Sequence, residues 1–376
     1  MNRHSYAWVV LILAVTLVGG ACSAGATSSP SGSTPASAGQ SVVPAASPTE
    51  TPDPIAALAA AAKAEGEIVS YGLPDDWVNY GGIWKLYEST YGIKHTDTDM
   101  SSGEIVASLE AEQGKGVADV TDLGFSFAPL IESKNLSLAY KPAHWDEIPE
   151  YARDADGRWA AAYWGAIAFT VNTDLVKEIP RTWQDLLKPE YQDKICMRDP
   201  RESATANMVV LAAAYANGGS ETNVQPGLDF FAKMKGGKAL RGIKPSTSNI
   251  QKGECPIALF WDFDGFSKRD DTKLPLEVVV PSDGTVAGLY IQFVSASAPH
   301  PNAAKLLLET AFSDAGQLEY ARGYAHPIRK ITIPADLAAK TLPESAYASV
   351  HFPKDPKALD AAAGLIADGW ASIVGN

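Results

Sequence analysis

Positive charge is in short supply: 31 Lys and Arg stand against 44 Asp and Glu, a formal net charge of −13. Such a chain repels nucleic acid and anionic membrane surfaces, which argues against a nucleic-acid role. Histidine is scarce, and the six present (His4, His95, His144, His300, His326 and His351) never fall at metal-ligand helical spacing. No H-E-x-x-H, G-x-S-x-G or G-x-x-x-x-G-K occurs, so the linear signatures of zinc hydrolases, nucleophile-elbow hydrolases and P-loop enzymes are missing. The segment from Asp97 to Ser102 opens like a calcium loop but lacks the required glycine and has Ser108, not Glu, at the final ligand position. Catalytic groups can meet in space, yet these absences lower the expectation of an enzyme. No apolar run reaches the ~20 residues of a membrane span. What is present is an ordinary globular mix, 376 residues with 46% apolar and 20% charged side chains, enough chain for two domains with a core each.

The longest apolar stretch, Ala7 to Ala21, is uncharged, follows Arg3 and runs directly into Cys22. It reads as a secretory signal over residues 1–21. Leu17-Val18-Gly19-Gly20-Ala21-Cys22 resembles a bacterial lipobox, which makes Cys22 the lipidated mature N-terminus; Gly19 departs from the pattern. Cleavage after Ala24-Gly25-Ala26 is the alternative. Residues 22–54 follow, rich in Ser, Pro and Thr, without an aromatic and with Glu50 and Asp53 as their only charges. They cannot bury enough apolar surface to order themselves and read as a disordered tether.

From Ile55 onward strands alternate with helices. Glu67–Gly72, Ile93–Thr98 and Ala118–Leu123 read as strands, with helices over Ile55–Ala64, Trp77–Tyr91 and Ser101–Gln113. Ala160–Asn172, with Gly165 inside it, reads as a strand pair leading into a second domain. Later strands are expected at Ile195–Met197, Ile257–Trp261, Glu277–Val280 and Gly288–Ala296. Helices are expected at Ala204–Ala216, Leu228–Lys235, Pro301–Ser313 and Leu359–Ile373. The alternation predicts an α/β sheet with helices on its faces. Cys196 and Cys255 lie in two of the strand-like runs, in a chain destined for an oxidising compartment. A disulfide is expected, with two buried thiols as the alternative.

The ordered motifs resemble those of bacterial extracellular solute-binding proteins of ABC importers. Pro180-Arg181-Thr182-Trp183-Gln184-Asp185-Leu186-Leu187-Lys188-Pro189 is similar to their P-x-T-W-x-D-L-L-x-P element. Val171-Asn172-Thr173-Asp174-Leu175, Gly253-Glu254-Cys255-Pro256-Ile257 and Ala298-Pro299-His300-Pro301-Asn302-Ala303-Ala304-Lys305 follow in the family order, then Ser313 to Gln317. The similarity covers about residues 65–330, and the nearest groups bind ferric iron, polyamines, thiamine or phosphorylated compounds. The resemblance implies a two-lobed, periplasmic-binding-protein-like (type II) α/β fold with a ligand cleft between the lobes. Residues 55–164 and 284–376 would form one lobe and 165–283 the other. It also implies a monomer outside the cytoplasm, lipid-anchored to the membrane. Its partners would be a small solute and a membrane permease, with no cofactor, metal or catalysis. An exported enzyme on the same scaffold is the alternative of another class.

By resemblance, Asp75-Asp76-Trp77 with Tyr80, and Trp261-Asp262-Phe263-Asp264, flank the cleft from opposite lobes. Polyamine binders carry a Trp and, three residues on, an Asp in the second segment; Trp261 and Asp264 have that spacing. Aromatic faces with carboxylates suit an organic cation, while Trp77 and Tyr80 as core residues and Asp75 or Asp76 as a helix cap remain open. No neighbouring tyrosines stand in that segment, which weakens the ferric reading. Ser101, Ser102, Ser203 and Thr205 sit at helix starts, where free amides bind anions or where serine simply caps. Glu202 is a ligand carboxylate or a first-turn acid. Tyr290 and Tyr324 line the cleft or the core.

Overall fold

The computed structural model describes residues 53–374. The expected signal, Cys22 and the tether up to Pro52 lie outside the described residues. Asp53 caps the first helix, Pro54–Glu65, its Oδ1 accepting from the Ile55 amide at 3.0 Å.

The strands are β1 Glu67–Tyr71, β2 Lys94–Thr98, β3 Val120–Gly124, β4 Ser137–Leu138, β5 Ala160–Asn172, β6 Ile195–Cys196, β7 Leu240–Arg241, β8 Ile257–Trp261, β9 Leu276–Val279, β10 Thr285–Ser295, β11 His326–Pro327 and β12 Val350–His351. Their main path runs β2-β1-β3-β10-β5-β8-β6-β7. β1 pairs in parallel with β2 and β3, and β6 in parallel with β7 and β8. The antiparallel strands β5 and β10 join these parallel groups, giving the two-lobed α/β fold. Along β5, Ala160 to Ala166 faces β10, whereas Ile167 to Val171 faces β8. β5 is buried along almost its whole length, as expected of a near-continuous apolar strand covered on both faces.

Two local expectations are corrected. Ala160–Asn172 is one strand of 13 residues and not a pair. Gly165 makes no turn there; it lets Phe263 approach, since an added Cβ would lie 2.4 Å from the Phe263 ring. The second helix starts at Tyr80, not Trp77, because Val78 and Asn79 adopt φ of 43° and 62°, outside the right-handed helical region. The Asn79 amide is held instead by Glu319, donating to its carbonyl at 3.1 Å and to Oε2 at 2.9 Å. Cys196 and Cys255 are both buried and stand as free thiols in this structure. The register sets Cys196 against Ala258, three residues past Cys255. Each sulfur lies 3.8 Å from a carbonyl, Glu254 O and Ile257 O respectively. The hydrogen-bonded Cys196 thiol, together with burial, pushes Cys255 well above the usual thiol range.

Candidate ligand cleft

A cavity of about 320 Å³ opens where the ends of β3 and β8, the middle of β10 and two helix starts converge. The helix Ser102–Ala111 points its first turn at the cavity from the β1–β3 side. Ser101 ties this turn: its amide and hydroxyl both donate to Glu104 Oε2, at 2.8 and 2.7 Å, and these bonds hold the Glu104 carboxyl below its usual range. Ser102 Oγ accepts from the Gly124 amide at 3.1 Å, fastening the helix start to the end of β3. From the opposite side comes the helix Ala204–Ala216, capped by Ser203, whose Oγ accepts from the Ala206 amide at 3.3 Å. Arg201 stands in the loop before it and reaches Asp199 Oδ2 at 2.6 Å, keeping that carboxyl below its usual range.

Trp261 and Tyr290 form the floor. Trp261 Nε1 donates to Thr205 Oγ1 and Tyr290 Oη, both at 3.1 Å. Its ring lies over Gly288, where a Cβ would come within 2.0 Å. Burial drives the Tyr290 phenol far up, so it stays neutral. A last wall comes from the C-terminal helix Pro356–Val374, through Leu359, Asp360, Ala363 and Ala367. Asn207 Nδ2 donates to the Ala363 carbonyl at 3.1 Å and seats that helix.

Among the residues singled out from sequence, the cavity brings together Ser101, Ser102, Glu202, Ser203, Trp261 and Tyr290, with Thr205 touching Trp261 behind them. The others lie elsewhere. Asp75 and Asp76 are exposed on the turn after β1. Trp77 Nε1 donates to Tyr163 Oη at 2.7 Å, and Tyr80 is fully buried beneath β10. Asp262 is fully buried and accepts from the Ala166 amide at 2.9 Å and Tyr347 Oη at 2.9 Å, with His326 Nε2 at 2.8 Å. Asp264 pairs with Lys268 one turn on, at 3.1 Å. Tyr324 donates to Asp270. The sequence pattern does not single out Gly124–Phe127 or Arg201, although Gly124 directly follows the predicted strand Ala118–Leu123. The C-terminal helix carries no signal that would place it at the cleft. Among the described residues no group of three or more His, Cys, Asp and Glu could hold a metal ion.

Two α/β lobes joined by long crossing strands, with a cleft floored by β8 and β10, define a periplasmic-binding-protein fold. A family model described as bacterial extracellular solute-binding protein matches residues 116–358, and the chain belongs to that family. An uncharacterized protein of Haemophilus influenzae is 29% identical over 278 residues, 69% of this chain and 77% of the relative. A periplasmic protein of Salmonella typhimurium, provisionally named for 2-aminoethylphosphonate binding, is 24% identical over 44% of this chain and 48% of its own length. Among solved structures, the periplasmic binding protein AfuA of Actinobacillus pleuropneumoniae, with fructose-6-phosphate bound, superposes with a TM-score of 0.64 at 22% identity, covering 82% of this chain and 98% of that one. A spermidine/putrescine-binding protein of Salmonella typhimurium at 24% identity and iron-bound HitA of Pseudomonas aeruginosa at 15% are also similar.

Proposed function

We propose that this solute-binding protein captures a small organic phosphate or phosphonate and delivers it to the permease of an ABC importer. The observation that carries the reading is the pair of helix starts, Ser102–Ala111 and Ala204–Ala216, opening on one cavity from opposite sides. The first amides of a helix lack intrahelical acceptors and bear partial positive charge. Two such ends facing each other favour an anion held between them. A structural neighbour with fructose-6-phosphate bound and a relative named for 2-aminoethylphosphonate binding agree with that chemistry. In this reading residues 55–164 with 284–376 and residues 165–283 are the two lobes, and Cys22 carries the lipid that keeps the protein at the outer face of the cell membrane. Because both lobes touch the solute, binding favours the closed arrangement.

A second reading rests on Glu202 and Asp360, two carboxylates at the same cavity beside Trp261. They suit an organic cation such as a polyamine. A thermal-shift panel separates the two readings. Fructose 6-phosphate or 2-aminoethylphosphonate is expected to raise the melting temperature by several degrees, since ligand at a hundred times its Kd adds about 2.7 kcal/mol. A rise with spermidine alone supports the cation reading, and a rise with ferric citrate alone overturns both.

A further inference from the structure

The C-terminal helix Pro356–Val374 lies almost wholly beyond residue 358, where the match to the family model ends. Its buried face carries Leu359, Ile366 and Trp370 at helical spacing. The helix packs on both sides of the cleft: against the turn Phe125–Phe127 and the helix Ala128–Ser133 after β3, and against the helices Ala204–Ala216 and Gln225–Gly236 between β6 and β7. On the second side it is fastened. Asn207 Nδ2 donates to the Ala363 carbonyl at 3.1 Å, and Lys235 Nζ to the Ile373 carbonyl at 2.5 Å. The Trp370 ring stands 5.3 Å from that of Phe231. Gly369 lets the backbone settle on Leu228, whose Cδ1 an added Cβ would meet at 2.5 Å.

These fastenings make the helix a fixed wall of the cavity. The side chains it lends to the lining are mostly small: Ala363 and Ala367 lie about one turn apart on one face, both half-buried. Asn207, which holds the Ala363 carbonyl, follows the capping Ser203 by about 6 Å along its own helix. The wall therefore rises about one helical turn from the free amides at that helix start. A phosphate or phosphonate group seated on those amides brings the rest of the solute against Ala363 within a few bonds.

We propose that Ala363 and Ala367 are specificity-determining residues: their methyl groups leave the space that the solute's organic part fills, and the fastened helix rejects organic phosphates and phosphonates too large for it. The proposal rests on the reading that the anion is held between the two helix starts. Alanine side chains offer no hydrogen bond, so this part of the wall discriminates by size and shape. In an apolar pocket each methylene that does not fit costs about 10–200-fold. Asn207, Lys235 and the Trp370–Phe231 contact keep the wall from yielding.

The test is calorimetric titration of full-length wild type, Ala363→Leu and Ala367→Leu with a size series: methylphosphonate, 2-aminoethylphosphonate, glycerol 3-phosphate and fructose 6-phosphate. Leu365→Ala is the control, because Leu365 is 55% exposed and does not line the cavity. Each leucine is expected to weaken the largest compound that the wild type binds at least tenfold more than the smallest. The control keeps every affinity, and the melting temperatures of the unliganded proteins stay together. If a leucine variant does not fold, valine at the same position replaces it. Equal losses across the series, or no loss in either variant, overturn the proposal and leave the anion reading standing. A wild type that binds none of the series overturns both.

Discussion

Two aspartates two residues apart, Asp262 and Asp264, show how strongly position sets the role of one side-chain type. Asp262 has no exposed surface and accepts from the Ala166 amide of β5 and from Tyr347, beside His326. It pins β5 to the segment that follows β10. Asp264 is partly exposed and paired with Lys268 in a single helical turn. Asp262→Asn should therefore destabilise the protein by about 2–3 kcal/mol, because hydrogen bonds to a charged group are lost in a dry site. Asp264→Asn should change stability by less than ~1 kcal/mol, and solute affinity should stay unaltered because its side chain lies outside the cavity. Denaturation curves and titrations of the two variants check both statements. A large loss of affinity with Asp264→Asn would return that carboxylate to the cleft. In sequence both residues read as ligand carboxylates beside Trp261. What separates them is burial by Ala166 and Tyr347, residues about 85–96 positions away, which no local pattern records.

Elements with strong local signals were legible. The capped helices after Ser101 and Ser203 begin where their serines and first-turn spacing place them, because a cap is decided by the next three residues. The β8 strand ends at Trp261 as read. The crossing strands were not legible as such. Ala160–Asn172 is almost entirely apolar, so it has no period to show which neighbour it meets, and with Gly165 inside it the run reads as a strand pair. Its real task is close packing against Phe263, which in turn meets Trp77 edge-on at 5.3 Å. Gly165→Ala puts a methyl group 2.4 Å from that ring. The expected result is a loss of about 1–3 kcal/mol, seen as a lower denaturation midpoint with an unchanged slope. A neutral or stabilising effect would show that β5 and the start of the Asp262–Thr272 helix can separate freely. The C-terminal helix was found as a helix, yet its place at the cleft depends on Asn207 holding Ala363 and on Trp370 packing 5.3 Å from Phe231. Those contacts cross more than a hundred residues of chain and leave no trace in the helix itself.

At the scale of the whole molecule, the family, the two-lobed fold and the convergence of helix starts on one cavity make a single account: a binding protein whose cleft is set up by backbone dipoles and whose floor is a buried aromatic and phenolic layer. Gly103 offers the sharpest probe of that account. It lies in the first turn of the Ser102–Ala111 helix at the cavity, and an added Cβ there meets nothing within 4 Å. A glutamate at this position fits sterically and even favours the helix dipole, so the fold should survive. Its carboxylate would occupy the anion's place and repel it. The decisive measurement is calorimetric titration of wild type and Gly103→Glu with fructose 6-phosphate and 2-aminoethylphosphonate. One-to-one binding to the wild type, weakened at least a hundredfold in Gly103→Glu with the melting temperature unchanged, is the predicted result. Equal affinity in the two proteins, or no binding of either compound to the wild type, would contradict it.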